Sequence, residues 1–152
     1  MDLAVWLGEL GAALGHGLVA GLAGIAAMTA GQMIEMRLTV RDPSSSPGDA
    51  AARILGIRLA SKAERLRFSN LIHWLYGTAW GMVRGILALA GLAGWVATGI
   101  HFVLVWVMAL LILPGLKVTP PVREWGARWI LIDAIHHAVY AIAAGLTYDW
   151  IA

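Results

Sequence analysis

The chain has 152 residues, 60% of them hydrophobic and only 13% charged, with a formal net charge of +2 and no cysteine. A soluble domain carries about 25% charged residues, so this composition argues against one and places the chain in the membrane class. Disulfides, thiolate metal sites and cysteine nucleophiles are excluded as well. The basic residues gather beside apolar segments, which points to lipid headgroups and away from nucleic acid.

Residues 1–9 hold Asp2 and Glu9 but no Lys or Arg, so they lack the positive start of a secretory signal and are expected to stay in the mature chain. Residues 10–34 then run without Asp, Glu, Lys or Arg, long enough for a first membrane span. Gly11 with Gly15, and Gly17 with Gly21, make two small-xxx-small steps that predict close helix packing. From Glu35 the composition changes. Arg37, Arg41, Arg53, Arg58, Lys62, Arg65 and Arg67 all precede the next apolar stretch, around a turn-rich break at 42–48. Within this loop the spacing of Leu55, Leu59, Ala63 and Leu66, with Arg58, Lys62 and Arg65 on another face, predicts a basic amphipathic helix over 49–68. Such a helix would lie on anionic lipid headgroups.

A second span is expected over 69–90. It carries His73, Tyr76 and Trp80, the stripe Gly77, Gly81 and Gly85, and Arg84, which either snorkels to the far interface or points inward as a fixed positive charge. Gly91 to Gly94 reads as a tight uncharged turn, and a third span over 95–113, with His101 and Trp106, is expected to end before Pro114-Gly115. The following loop holds Lys117, Arg123 and Arg128, with Trp125 and Trp129 suited to an interfacial belt.

The fourth span, 129–148, is the most informative. Asp133, His137, Tyr140, Ala141, Ala144, Gly145 and Tyr148 recur at spacings of three and four and share one face, and His136 lies about a quarter-turn away. Ionisable groups at that depth usually face a bundle interior and find partners. A polar seam that only holds helices together would use the same residues. His73-x-x-Tyr76-Gly77 echoes His137-x-x-Tyr140-Ala141 at an interval of 64 residues. A weaker echo sets Leu38-Thr39-Val40 against Leu116-Lys117-Val118. Both suggest a duplicated helical hairpin.

The fold expected is therefore an all-α membrane protein of four transmembrane helices, arranged as two parallel-related hairpins plus the interfacial helix. All Lys and Arg except Arg84 lie in the loops after the first and third spans, so those loops are expected in the cytoplasm and both termini outside. The glycine-rich first span with Met28-Thr29-Ala30, the proline-containing loop, the His73-x-x-Tyr76-Gly77 second span, the Leu113-Pro114 end of the third and the His137-x-x-Tyr140 fourth together resemble the YagU-like group. That resemblance covers residues 17–148 and implies a small four-helix bacterial inner-membrane protein of unknown function. It supplies no catalytic residues.

Three function classes follow. The first is proton or small-ion permeation, or a pH-responsive membrane function, through an intramembrane site of His73, Tyr76, Arg84, Asp133, His136, His137 and Tyr140, since histidine titrates near neutrality. The second is a haem b protein with His73 and His136 or His137 as one ligand pair and His16 with His101 as another. The third is an accessory subunit of a membrane complex, or a homo-oligomer, held by the glycine steps. An enzyme is the least supported, because no phosphate-binding glycine loop, zinc-type His-Glu motif or activated nucleophile is present.

Overall fold

The computed structural model describes residues 2–152, which form five α-helices and one short 3-10 turn with no strand among them. Helix α1 spans Leu3–Thr39, α2 Ser46–Leu55, α3 Lys62–Leu89, α4 Gly94–Gly115 and α5 Ala127–Ile151, with the 3-10 turn at Val122–Glu124. Three of these, α1, α4 and α5, are long and apolar enough to cross a membrane. Helix α3 has the length, at 28 residues, but the charges of its first turns and the polar Ser69, Asn70, His73 and Arg84 further along lower its hydropathy.

Each boundary has a local cause. The Asp2 side chain caps α1 by accepting from the Ala4 N–H. Ser61 accepts from the Glu64 N–H while the Glu64 carboxylate accepts from the Ala60 N–H at 2.8 Å, a reciprocal cap that fixes the start of α3. Helix α1 ends on Val40 (φ 52°), with the Arg41 N–H donated to the Met36 carbonyl, and α4 runs through Pro114 to Gly115 and is followed by a left-handed Lys117 (φ 54°), with the Val118 N–H donated to Leu113. The two are the same kind of left-handed ending, but the left-handed residue is the third of Leu38-Thr39-Val40 and the second of Leu116-Lys117-Val118, so they are one residue out of register with the sequence echo.

Helix α1 is the centre of the bundle. It packs most extensively on α3 and next on α5, whereas α4 packs mainly on α5. Contacts between α1 and α3 are antiparallel and nearly backbone to backbone. A Cβ on Gly17 would stand 2.6 Å from the Gly81 carbonyl oxygen, and one on Gly21 would stand 2.9 Å from the Gly81 Cα. Gly24 makes room for the Tyr140 ring of α5 in the same way, with a Cβ 2.9 Å from its edge. Helices α3 and α5 run parallel at a nearly constant offset: Tyr140 reaches Gly77, 63 residues earlier, and Arg84 reaches Asp149, 65 residues later. His73 and His137, 64 residues apart, therefore lie at matching depth, as the echo suggests.

Several expectations are corrected. The helix expected over 49–68 is broken, because Gly56 takes a left-handed conformation (φ 67°) and Ser61 starts a new helix, so α2 begins at Ser46 and residues 62–68 belong to α3. The expected end before Pro114 is passed by two residues, and α1 continues beyond 10–34 in both directions. Of the two glycine steps in α1, only Gly17 and Gly21 meet another helix; Gly11 and Gly15 face open space. The packing is also not that of two equivalent hairpins: α1 has a large interface with α5, but its counterpart α4 has only a small one with α3.

The glycine contacts generate a test. Gly21→Leu should lower the detergent-solubilised melting temperature, with a cost of at least about 1–3 kcal/mol for forcing α1 off α3. Gly99→Leu, whose Cβ would meet nothing within 4 Å, should leave the melting temperature unchanged.

Candidate functional site

The ionisable residues divide into two groups at opposite ends of the bundle. The first lies in the half that adjoins the basic loops, where α1 presents Thr29 and Gly31, α3 presents His73, α4 presents Trp106 and α5 presents Asp133, His136 and His137. Thr29 donates its hydroxyl proton to the Ile25 carbonyl at 2.7 Å. Its oxygen is thereby left to accept from His73 Nε2 at 3.0 Å. His137 donates from Nδ1 to the Asp133 backbone carbonyl at 2.8 Å, with the Asp133 carboxylate 3.6 Å away. That carboxylate accepts from the Trp106 indole N–H at 2.9 Å. His136 lies against α1 beside Gly31.

Both His136 and His137 are buried, so the question of which one faces inward has a double answer. His137 turns toward Asp133, and His136 turns toward α1. The charges within electrostatic reach of this group are Asp133 on α5 and the Glu35–Arg41 pair at the end of α1, joined at 2.7 Å. His73 and His137 are within electrostatic reach of each other.

Tyr140 stands between the two groups and is 1% exposed. Its hydroxyl donates to the Gly77 carbonyl at 2.6 Å, and its ring packs edge-on against His101 with centroids 5.6 Å apart. His101 in turn donates from Nε2 to the Trp80 carbonyl at 3.0 Å. Both side chains spend their protons on backbone carbonyls, each of which already serves its own helix. They lock α3 and α4 to α5 rather than bridge the histidines.

The second group lies near the far end. Arg84 is 1% exposed and points inward, which settles the choice left open by its sequence position. Its Nη2 is hydrogen-bonded to Asp149, and its guanidinium carbon sits 4.6 Å from the centre of the Tyr148 ring. Nε and Nη1 have no protein partner. His16 of α1 meets the other side of this arrangement, edge-on to Tyr148.

Of the expected site residues, the structure therefore gathers His73, Asp133, His136 and His137, uses Tyr140 as a clamp, and sets Arg84 apart, about 16 Å along the helix from the histidine level. Tyr76 is not part of the site. It is 46% exposed on the outer face of α3, packed edge-on against Trp80. The pairing of His16 with His101 that a second haem site would need is not formed, because those residues contact different tyrosines and α1 has no substantial interface with α4. Thr29, Trp106 and Asp149 were not anticipated as site residues. Asp149 had a signal, since the 64-residue interval carries Arg84 onto Tyr148, its immediate neighbour. Thr29 is a hydroxyl in an otherwise apolar run, a weaker one.

No known protein family matches the chain, and no curated protein or solved structure matches it either.

The Arg84–Asp149 pair makes a prediction about stability. Asp149→Asn leaves the buried Arg84 guanidinium without its counter-charge and should lower stability, by less than the ~3 kcal/mol of a fully buried pair because the Asp149 side chain is 38% exposed. The double variant Arg84→Met with Asp149→Leu should recover most of that loss, because replacing a buried ion pair by apolar groups of similar volume is close to neutral. Thermal unfolding of the single and double variants in detergent measures both.

Proposed function

We propose that the chain is a bacterial inner-membrane protein of four spans, α1, α3, α4 and α5, with the basic loops in the cytoplasm and both termini outside. In this reading it responds to protons through His73, His136 and His137. The fourth span, α3, owes its place to its length, its antiparallel pairing with α1 and its parallel register with α5. The loop charges support the orientation, and the ordered motifs that resemble the YagU-like group fit the same placement.

One observation carries the functional reading: His73 of α3 and His136 of α5 lie against α1 at Thr29 and Gly31, and His137, next to His136, is hydrogen-bonded to the Asp133 carbonyl. Histidine gains its proton between about pH 8 and 5. Adding charge to several neighbours in a low-dielectric interface is costly. Asp133, which already accepts from the Trp106 indole, is the one nearby carboxylate not paired with an arginine, since Glu35 pairs with Arg41. Acidification then works against the packing of α3 and α5 on α1 in the cytoplasmic half. Release there opens a route for protons or small ions toward the Arg84–Asp149 pair, which forms the outer constriction.

Flux in proteoliposomes tests this. The unmodified protein should pass protons or small ions faster as the cytoplasmic-side pH falls through the histidine range, and His73→Ala with His137→Ala should abolish that acceleration. Tyr76→Phe should leave it intact. Flux that ignores both pH and the histidine pair would remove the reading.

A further inference from the structure

The broken amphipathic segment creates a cavity that an unbroken helix would not have. Gly56 turns the chain at the end of α2, and residues 57–61 pass back toward the first turn of α3. Between α2, this link, the start of α3 and the turn after α4 lies a cavity of about 500 Å³, lined by Asp49, Arg53, Ile57, Arg58, Arg65 and Val118 among others. A cavity of this volume falls in the range of sites for small organic ligands.

Its charge is unbalanced. Asp49 is the one carboxylate in the lining, and it is already held by Arg65 at 3.2 Å and by the Ser45 hydroxyl at 2.8 Å. Arg53 places one nitrogen on the Leu116 carbonyl at 2.6 Å, which fixes its stem and leaves the rest of its fork unused. Arg58 makes no ion pair or side-chain hydrogen bond among the described residues. Two guanidinium groups thus face the cavity without a counter-charge, and the ligand class that suits a pair of arginines is a phosphate or phosphodiester anion.

The surroundings select the source of that phosphate. Helix α2 is pinned beside the start of α3, where Gly48 donates its N–H to the Ser69 hydroxyl at 3.2 Å. On the same segment Ile54 and Leu55 are exposed, as is Ile57 of the cavity lining. Apolar side chains next to arginines at the mouth of a membrane bundle match a molecule with an anionic head and hydrocarbon tails.

We propose that this cavity binds the headgroup phosphate of an anionic phospholipid, with Arg58 and Arg53 on the phosphate and Ile54, Leu55 and Ile57 along the acyl chains. The site does not depend on the histidine cluster, and its test does not involve flux.

The test is native mass spectrometry of the full-length protein in mild detergent, offered phosphatidylglycerol or phosphatidylcholine. The protein should retain phosphatidylglycerol selectively. Arg58→Gln, which removes no ion pair or side-chain hydrogen bond among the described residues, should weaken that retention about tenfold or more, the effect of losing a charged hydrogen bond, with helix content unchanged by circular dichroism. Arg123→Gln removes the same charge from the exposed 3-10 turn, outside the cavity, and should retain the lipid as the unmodified protein does. Equal weakening in both variants would reduce the effect to diffuse surface charge and overturn the site, and so would full retention by Arg58→Gln. Inorganic phosphate, added as a competitor, should not displace the lipid; displacement would assign the cavity to free phosphate and overturn the lipid as its ligand.

Discussion

The approach of the α1 backbone to α3 is the constraint on which the other contacts depend. In the proposed membrane placement, the hydrophobic effect supplies little between helices, because lipid tails are as apolar as leucine, and association rests on close packing and on hydrogen bonds. Gly17 and Gly21 of α1 meet Gly81 of α3 with no room for a methyl group on either side. That contact fixes the antiparallel register of the two helices. The register then decides that Thr29 falls opposite His73 and that Arg84, one turn beyond the closest contact, is shut inside. Gly24 extends the same economy of volume to α5 by admitting the Tyr140 ring, whose hydroxyl reaches across to Gly77.

A bundle closed so tightly treats its polar groups in two ways. Tyr140 and His101 are clamps, each spending a proton on a carbonyl of a neighbouring helix. The histidines nearer the basic loops differ, because their partners are a hydroxyl, a backbone carbonyl on their own helix, and a carboxylate that an indole also holds. None of these ties closes a circuit between α3 and α5 without passing through α1. The polar contacts at this level are therefore those a change of charge can loosen while the glycine seam further along remains closed.

How much of this was legible in the sequence depends on what kind of contact made it. Three of the four expected apolar runs, the Gly91 turn and the buried face of α5 follow from spacing alone, and each is present. The depth match of His73 and His137 follows from the interval between two similar motifs. What spacing could not supply was which helix stands between which. The site was expected between the second and fourth spans. Helices α3 and α5 do meet, through Tyr140 on Gly77 and Arg84 on Asp149, but α1 also borders the histidines through Thr29 and Gly31, and a single chain read by periodicity carries no signal for that third helix. Tyr76 illustrates the same limit: it follows His73 by three residues, yet the glycines at 77, 81 and 85 claim the inner face and leave Tyr76 outside. The 49–68 helix failed for a local reason, since a periodic pattern of leucines outlasted both a glycine suited to a left-handed turn and a Ser61–Glu64 cap.

The account stands on acid-driven separation of helices at the histidine level. Because the chain has no cysteine, single reporters can be introduced at will, and Leu38→Cys at the end of α1 with Leu131→Cys at the start of α5 are both exposed. Double electron–electron resonance between spin labels at these two positions, in nanodiscs, measures the separation directly. The account predicts a longer and broader distance distribution at about pH 5 than at about pH 8, with the change lost when His73, His136 and His137 are replaced. A distribution that stays the same across that range would contradict it.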